Sequence, residues 1–80
     1  MPTKQELDKL PTTQLAVMCS KVGDDPKNYS QAGSAKASEL KAEWVSLQTP
    51  PESSLKDQEK KEAQLVSLHE RMTSFLAGIL

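Results

Sequence analysis

The chain has a single cysteine, Cys19, which forms no internal disulfide and cannot by itself build a zinc site. Its one histidine is His69, and its three glycines, Gly23, Gly33 and Gly78, are too scattered to make a phosphate-cradling loop. Charge of one sign is lacking as well. Ten basic and eleven acidic residues leave a net charge of −1, so no field draws nucleic acid or an anionic membrane. No apolar run approaches the ~18 residues that span a bilayer, and the N-terminus shows no basic-then-apolar leader. The expected setting is therefore the cytoplasm. Ten Leu, four Val, one Ile and one Phe make up only a fifth of the 80 residues, a thin supply for a core. The near-neutral charge argues against disorder all the same. Eighty residues hold one small domain rather than two cores. Without a disulfide or metal, such a chain leans on a partner or on a second copy of itself.

Helix-forming residues dominate, and no stretch alternates apolar and β-branched residues as a strand would. The expected fold is all-α: a small helical bundle in which two short N-terminal helices pack on a longer antiparallel helical hairpin. Thr3-Lys4-Gln5-Glu6 has capping-box spacing and opens a first helix near 4–10, which Pro11 ends. Pro11 also suits the first turn of a second helix near 12–22. There Leu15, Met18, Cys19 and Val22 form one apolar stripe, and Gly23 is placed as its C-cap. Gly23-Asp24-Asp25-Pro26-Lys27 reads as a turn. A third helix near 30–48 starts at Asn28, Ser30 or Ser34 and carries Ala37, Leu40, Trp44 and Leu47 at steps of three and four. Thr49-Pro50-Pro51-Glu52-Ser53-Ser54 breaks it. A fourth helix near 53–77 follows, capped by Thr49 or by Ser53/Ser54. Its first third is charged; its last half carries Leu65, Leu68, Met72, Phe75, Leu76 and Ile79.

A short Pro-Pro connection sets helices three and four side by side. Leu47 then faces the Leu55 region, and Leu40 and Trp44 face the charged stretch from Gln58 to Ala63. The expected core is Leu15, Met18, Leu40, Leu65, Leu68, Met72 and Phe75. Trp44 is poorly served by this packing and reads either as edge packing or as a partner anchor. The C-terminal stripe is longer than the hairpin alone covers. Its spacing resembles a short coiled-coil seam, closing either on Leu7 and Leu10 or on a second copy. The candidate interface residues are accordingly Trp44, Met72, Phe75, Leu76, Ile79 and Leu80.

Few residues offer chemistry. His69-Glu70 lacks the second histidine of a zinc-protease helix, since Thr73 stands four residues on. A calcium loop begun at Asp24 would reach Ala35 where a bidentate Glu is required. Cys19 sits on an apolar stripe, as a buried structural thiol does. No base or oxyanion donor can be nominated beside it, and His69 reads as a solvated or edge residue. Asn28-Tyr29-Ser30 matches the glycosylation pattern, but no leader would carry it to the enzyme that uses it. Lysines are spread singly and most have an acid nearby, as Lys36 and Lys41 have Glu39. No catalytic residue, cofactor or metal is expected.

The stretch Leu7-Asp8-Lys9-Leu10-Pro11-Thr12-Thr13-Gln14-Leu15, continuing to Gly23, resembles the opening helix pair of SAP and Rho-N-terminal modules. That resemblance spans about a fifth of the chain and implies association with nucleic acid. An Asp-Asp-Pro turn and an Ala/Ser-rich helix replace the basic second half such modules carry. The reading that follows is a non-enzymatic, soluble interaction protein that binds a protein partner or itself. A nucleic-acid-associated regulator is the alternative.

Overall fold

The computed structural model describes residues 3–48 and 55–79. Four helices make up the described chain: α1 (Lys4–Asp8), α2 (Thr12–Asp24), α3 (Gln31–Ser46) and α4 (Leu55–Ile79). The all-α bundle is the one expected. The capping box at Thr3 is formed in both directions, with the Glu6 amide donating to Thr3 Oγ1 at 3.2 Å and the Thr3 amide donating to Glu6 Oε2 at 3.3 Å. α1 ends at Asp8, two residues early. Pro11 stands one position before α2 as its N-cap, where its carbonyl accepts from the Gln14 and Leu15 amides. Ser30 caps α3 by accepting from the Gly33 amide at 3.1 Å, which settles the start among the three candidates. Thr49, Ser53 and Ser54, the alternatives for capping α4, lie outside the described residues.

Gly23 is not a C-cap. α2 runs through it to Asp24, and its φ is not positive. Its missing side chain serves packing instead. A Cβ at Gly23 would lie 2.7 Å from Ser38 Oγ and 3.4 Å from Ser38 N, so α3 passes close by at this point. α2 and α3 share the largest interface of the bundle, and α3 and α4 the smallest of the principal ones. This departs from the packing expected of a Pro-Pro hairpin.

The register of α4 departs too. Glu43 of α3 reaches Arg71, at 2.9 and 2.5 Å, rather than the Gln58–Ala63 stretch. That is roughly three helical turns further along α4 than a tight hairpin would place it. The reason lies in composition. Pairing Leu40 with Gln58–Ala63 would desolvate charged side chains for no apolar gain, so the oily half of α4 covers the core instead. From Leu55 to Gln64 no side chain is buried, and Leu55 itself is 72% exposed.

The core gathers Leu7 from α1, Leu15, Ala16, Cys19 and Val22 from α2, Ala37 and Leu40 from α3, and Leu68, Met72 and Leu76 from α4. Of the seven core residues read from the sequence, Leu15, Leu40, Leu68 and Met72 are fully buried. Met18 and Phe75 are half-buried against them. Leu65 is half-buried at the edge, lining a shallow cleft with His69, because the core begins one turn later on α4. Two buried polar groups were not anticipated, and both are satisfied. Ser34 Oγ donates to the Val22 carbonyl at 3.2 Å, and Thr73 Oγ1 to the His69 carbonyl at 2.7 Å.

Leu68 is wholly inside this cluster, so Leu68→Ala should destabilise by roughly 2–5 kcal/mol in urea unfolding. A domain of this size holds only about 3–5 kcal/mol, so the variant should be largely unfolded at 37 °C. Phe75→Ala should cost less, because its ring is only partly buried. Equal losses for the two, or an unchanged Leu68→Ala midpoint, would contradict the core described.

Candidate interaction surface

Helical spacing sets two polar-apolar stripes beside the α2–α3 seam. Val17, Ser20, Lys21 and Asp24 step by three, one and three along α2, and Ser38, Lys41, Ala42 and Val45 repeat that spacing on α3. Between them the surface opens into two adjoining hollows of about 190 and 440 Å³ that share Ser20 and Lys41. Val17, Lys21 and Trp44 line the smaller; Asp24, Ala42 and Val45 line the larger. Val17 is 49% exposed and Val45 53%, while Trp44 is half-buried with one part against the core. Lys21 and Lys41 are both exposed, and among the described residues neither makes an ion pair.

Of the candidate interface residues that are described, only Trp44 lies on this groove. It sits against Ala16 and Val17 of α2, not against the charged start of α4. Met72 and Leu76 are fully buried within the chain and have no surface to offer. They share one buried cluster with Leu7, Leu15 and Leu40. Phe75 and Ile79 are half-buried against the same core, and Leu80 lies outside the described residues. Val17 and Val45 were missed for a plain reason. Each lies in a stripe of mixed polarity, which apolar periodicity does not register.

His69 is more than an edge residue. Its Nδ1 lies 2.8 Å from Thr12 Oγ1, and its Nε2 lies 3.2 Å from the Asp8 carbonyl and 3.3 Å from Asp8 Oδ1. The Nε2–H tautomer satisfies both sides, with the Thr12 hydroxyl donating into Nδ1. Hydroxyl, imidazole and carboxylate stand in the order of a hydrolase triad. Here the three groups come from the end of α1, the start of α2 and the middle of α4, so the imidazole clasps the α1–α2 corner to the long helix. Glu43 and Arg71 make a second clasp, from α3 to α4. Hydrogen bonds from Arg71, with its charge and that of Lys36, hold the Glu43 carboxyl below the usual carboxylate range. Both partners are about two-fifths exposed, so the pair contributes at most about 1 kcal/mol.

Cys19 is fully buried, and burial pushes its thiol up to about 11. Among the described residues, no three His, Cys, Asp or Glu side chains gather closely enough to share a metal ion. No described helix is long and apolar enough to cross a membrane. The chain matches no known protein family, no curated protein and no solved structure.

The raised Cys19 pKa has a defined sign. In the folded protein the thiol stays protonated up to about 11, whereas in the unfolded chain it ionises near 9.0. Its contribution to stability is thus complete below pH 9.0 and is lost as pH rises through about 11. The Cys19→Ala variant should be less stable at neutral pH and lose less of its stability across this alkaline window. Parallel pH profiles for the two proteins, or rapid alkylation of native Cys19 at pH 7, would contradict the burial.

Proposed function

We propose that the chain is a non-enzymatic protein-interaction module of the cytoplasm that binds a partner along the α2–α3 groove. One observation carries this reading: two valines half open to water and the only tryptophan line one continuous groove, while the rest of the large apolar residues near it face the core. Anchors of this kind, an aromatic ring ringed by partly exposed aliphatics, dominate binding energy at interfaces. Two further features support a binding role over a catalytic one. Cys19 is buried and holds its proton, and the Thr12–His69–Asp8 contacts are engaged in joining three helices.

A second copy is a poor occupant of this groove. A two-fold contact would gather four lysines, two from each copy, in one seam against two Asp24 carboxylates. Met72 and Leu76, two of the residues offered for self-association through the C-terminal helix, are used inside the chain.

Photo-crosslinking side chains placed at Val17, Val45 and the exposed Gln64 test the reading in living cells. Discrete adducts should form from positions 17 and 45 and be absent from position 64. Uniform labelling from all three positions, or none from any, would refute a partner at this seam.

A further inference from the structure

Resting on the interaction reading above, we propose that the groove takes an acidic amphipathic peptide segment of the partner, its carboxylates on Lys21 and Lys41 and its apolar side chains on Val17, Trp44 and Val45. The argument begins with charge. Lys21 stands on one rim and Lys41 on the other, both exposed and both without an ion-pair partner among the described residues. Arg71 of α4, by contrast, is already engaged with Glu43. Two cations on opposite rims of an apolar floor attract a segment that carries carboxylates beside apolar residues.

The groove is also polar along its length. Asp24 closes the far hollow at the last residue of α2, where the negative end of the helix dipole adds to its charge. Lys21 and Trp44 lie in the other hollow. An occupant is therefore oriented, with its acidic residues toward Trp44 and neutral or basic ones toward Asp24. The apolar floor sets the second requirement. Val17 and Val45 bury their exposed halves only against side chains, and a helical segment supplies these at three- and four-residue spacing. A phosphate backbone suits the groove less well. It finds two lysines instead of a basic stripe, meets Asp24 on the same rim, and leaves both valines wet.

The test uses the full chain and synthetic amphipathic peptides that share one apolar face and differ only in charged positions, which hold Glu, Gln or Lys. A single-stranded oligonucleotide serves as the fourth probe. Trp44, the only tryptophan, reports binding by fluorescence when the peptides lack that residue. The Glu peptide should bind and weaken with added salt. The Gln peptide should bind on the order of tenfold more weakly, and the Lys peptide more weakly still. Because both lysines are exposed, Lys21→Glu/Lys41→Glu should keep the helical circular dichroism of the parent, with melting lowered modestly by the charge reversal at the end of α2, while reversing the preference toward the Lys peptide. Binding indifferent to charge, no peptide binding, or tighter binding of the oligonucleotide would overturn the proposal. The two readings fail separately. Adducts at Val17 and Val45 together with charge-indifferent peptide binding would leave the interaction module standing without the acidic segment. Charge-selective binding without adducts in cells would uphold the groove's chemistry and remove the cellular partner.

Discussion

The close approach of α2 and α3 is the constraint from which the rest of the bundle follows. Gly23 has no side chain where α3 passes, Ala16 and Ala37 are the small buried residues of the two helices, and the Ser34 hydroxyl bonds the Val22 carbonyl across the gap. Small residues let the two backbones come together, and that leaves no room between them for large ones. Leu15, Leu40 and the buried face of α4 must then meet on the inner side, with Leu7 closing the cluster. On the outer side the flanking positions are left standing at the rims, where Val17 and Val45 stay half exposed. The groove is thus a by-product of tight packing: the same seam that joins the helices presents the surface.

α4 is held differently. None of its first ten residues is fully buried, and the apolar half beyond Leu65, the Glu43–Arg71 pair and His69 attach it to the other helices. The clasps contribute little energy one by one, since exposed ion pairs and single hydrogen bonds each stabilise by about 1 kcal/mol or less. Their value is positional. His69 takes a contact from each side of the Pro11 corner and so sets how α1 lies on α4. Leu7 is thereby brought over the core.

Local features could be read from the residues alone, and long-range ones could not. The Thr3–Glu6 capping box and the oily half of α4 each depend on residues within a turn or two of one another, where spacing is decisive, while spacing alone left Asn28, Ser30 and Ser34 open as the start of α3. Gly23 was misread because a glycine after an apolar stripe has two uses, ending a helix or admitting a neighbour, and only the position of Ser38 tells them apart. The placing of α3 against α2 instead of against the start of α4 depends on comparing two interfaces, one of small residues and one of charged ones. Periodicity in a single helix holds no such comparison. The candidate site was legible in part for the same reason. Trp44 stood out as an unsatisfied aromatic, but its companions Val17, Lys21, Lys41 and Val45 become a surface only when α2 lies beside α3. For the C-terminal stripe the residues offered two covers, Leu7 and Leu10 or a second copy, because apolar spacing shows that a face needs covering and not what covers it.

Native-state hydrogen exchange tests the central claim, that the α2–α3 seam is the part of the fold on which the other helices depend. Amides from Leu15 to Val22 and from Ala37 to Leu40 should exchange only through global unfolding, while those from Lys60 to Gln64 should exchange far faster. The protected stretch of α4 should begin near Leu68. Protection spread evenly along the whole of α4, with α2 and α3 opening first, would contradict this account.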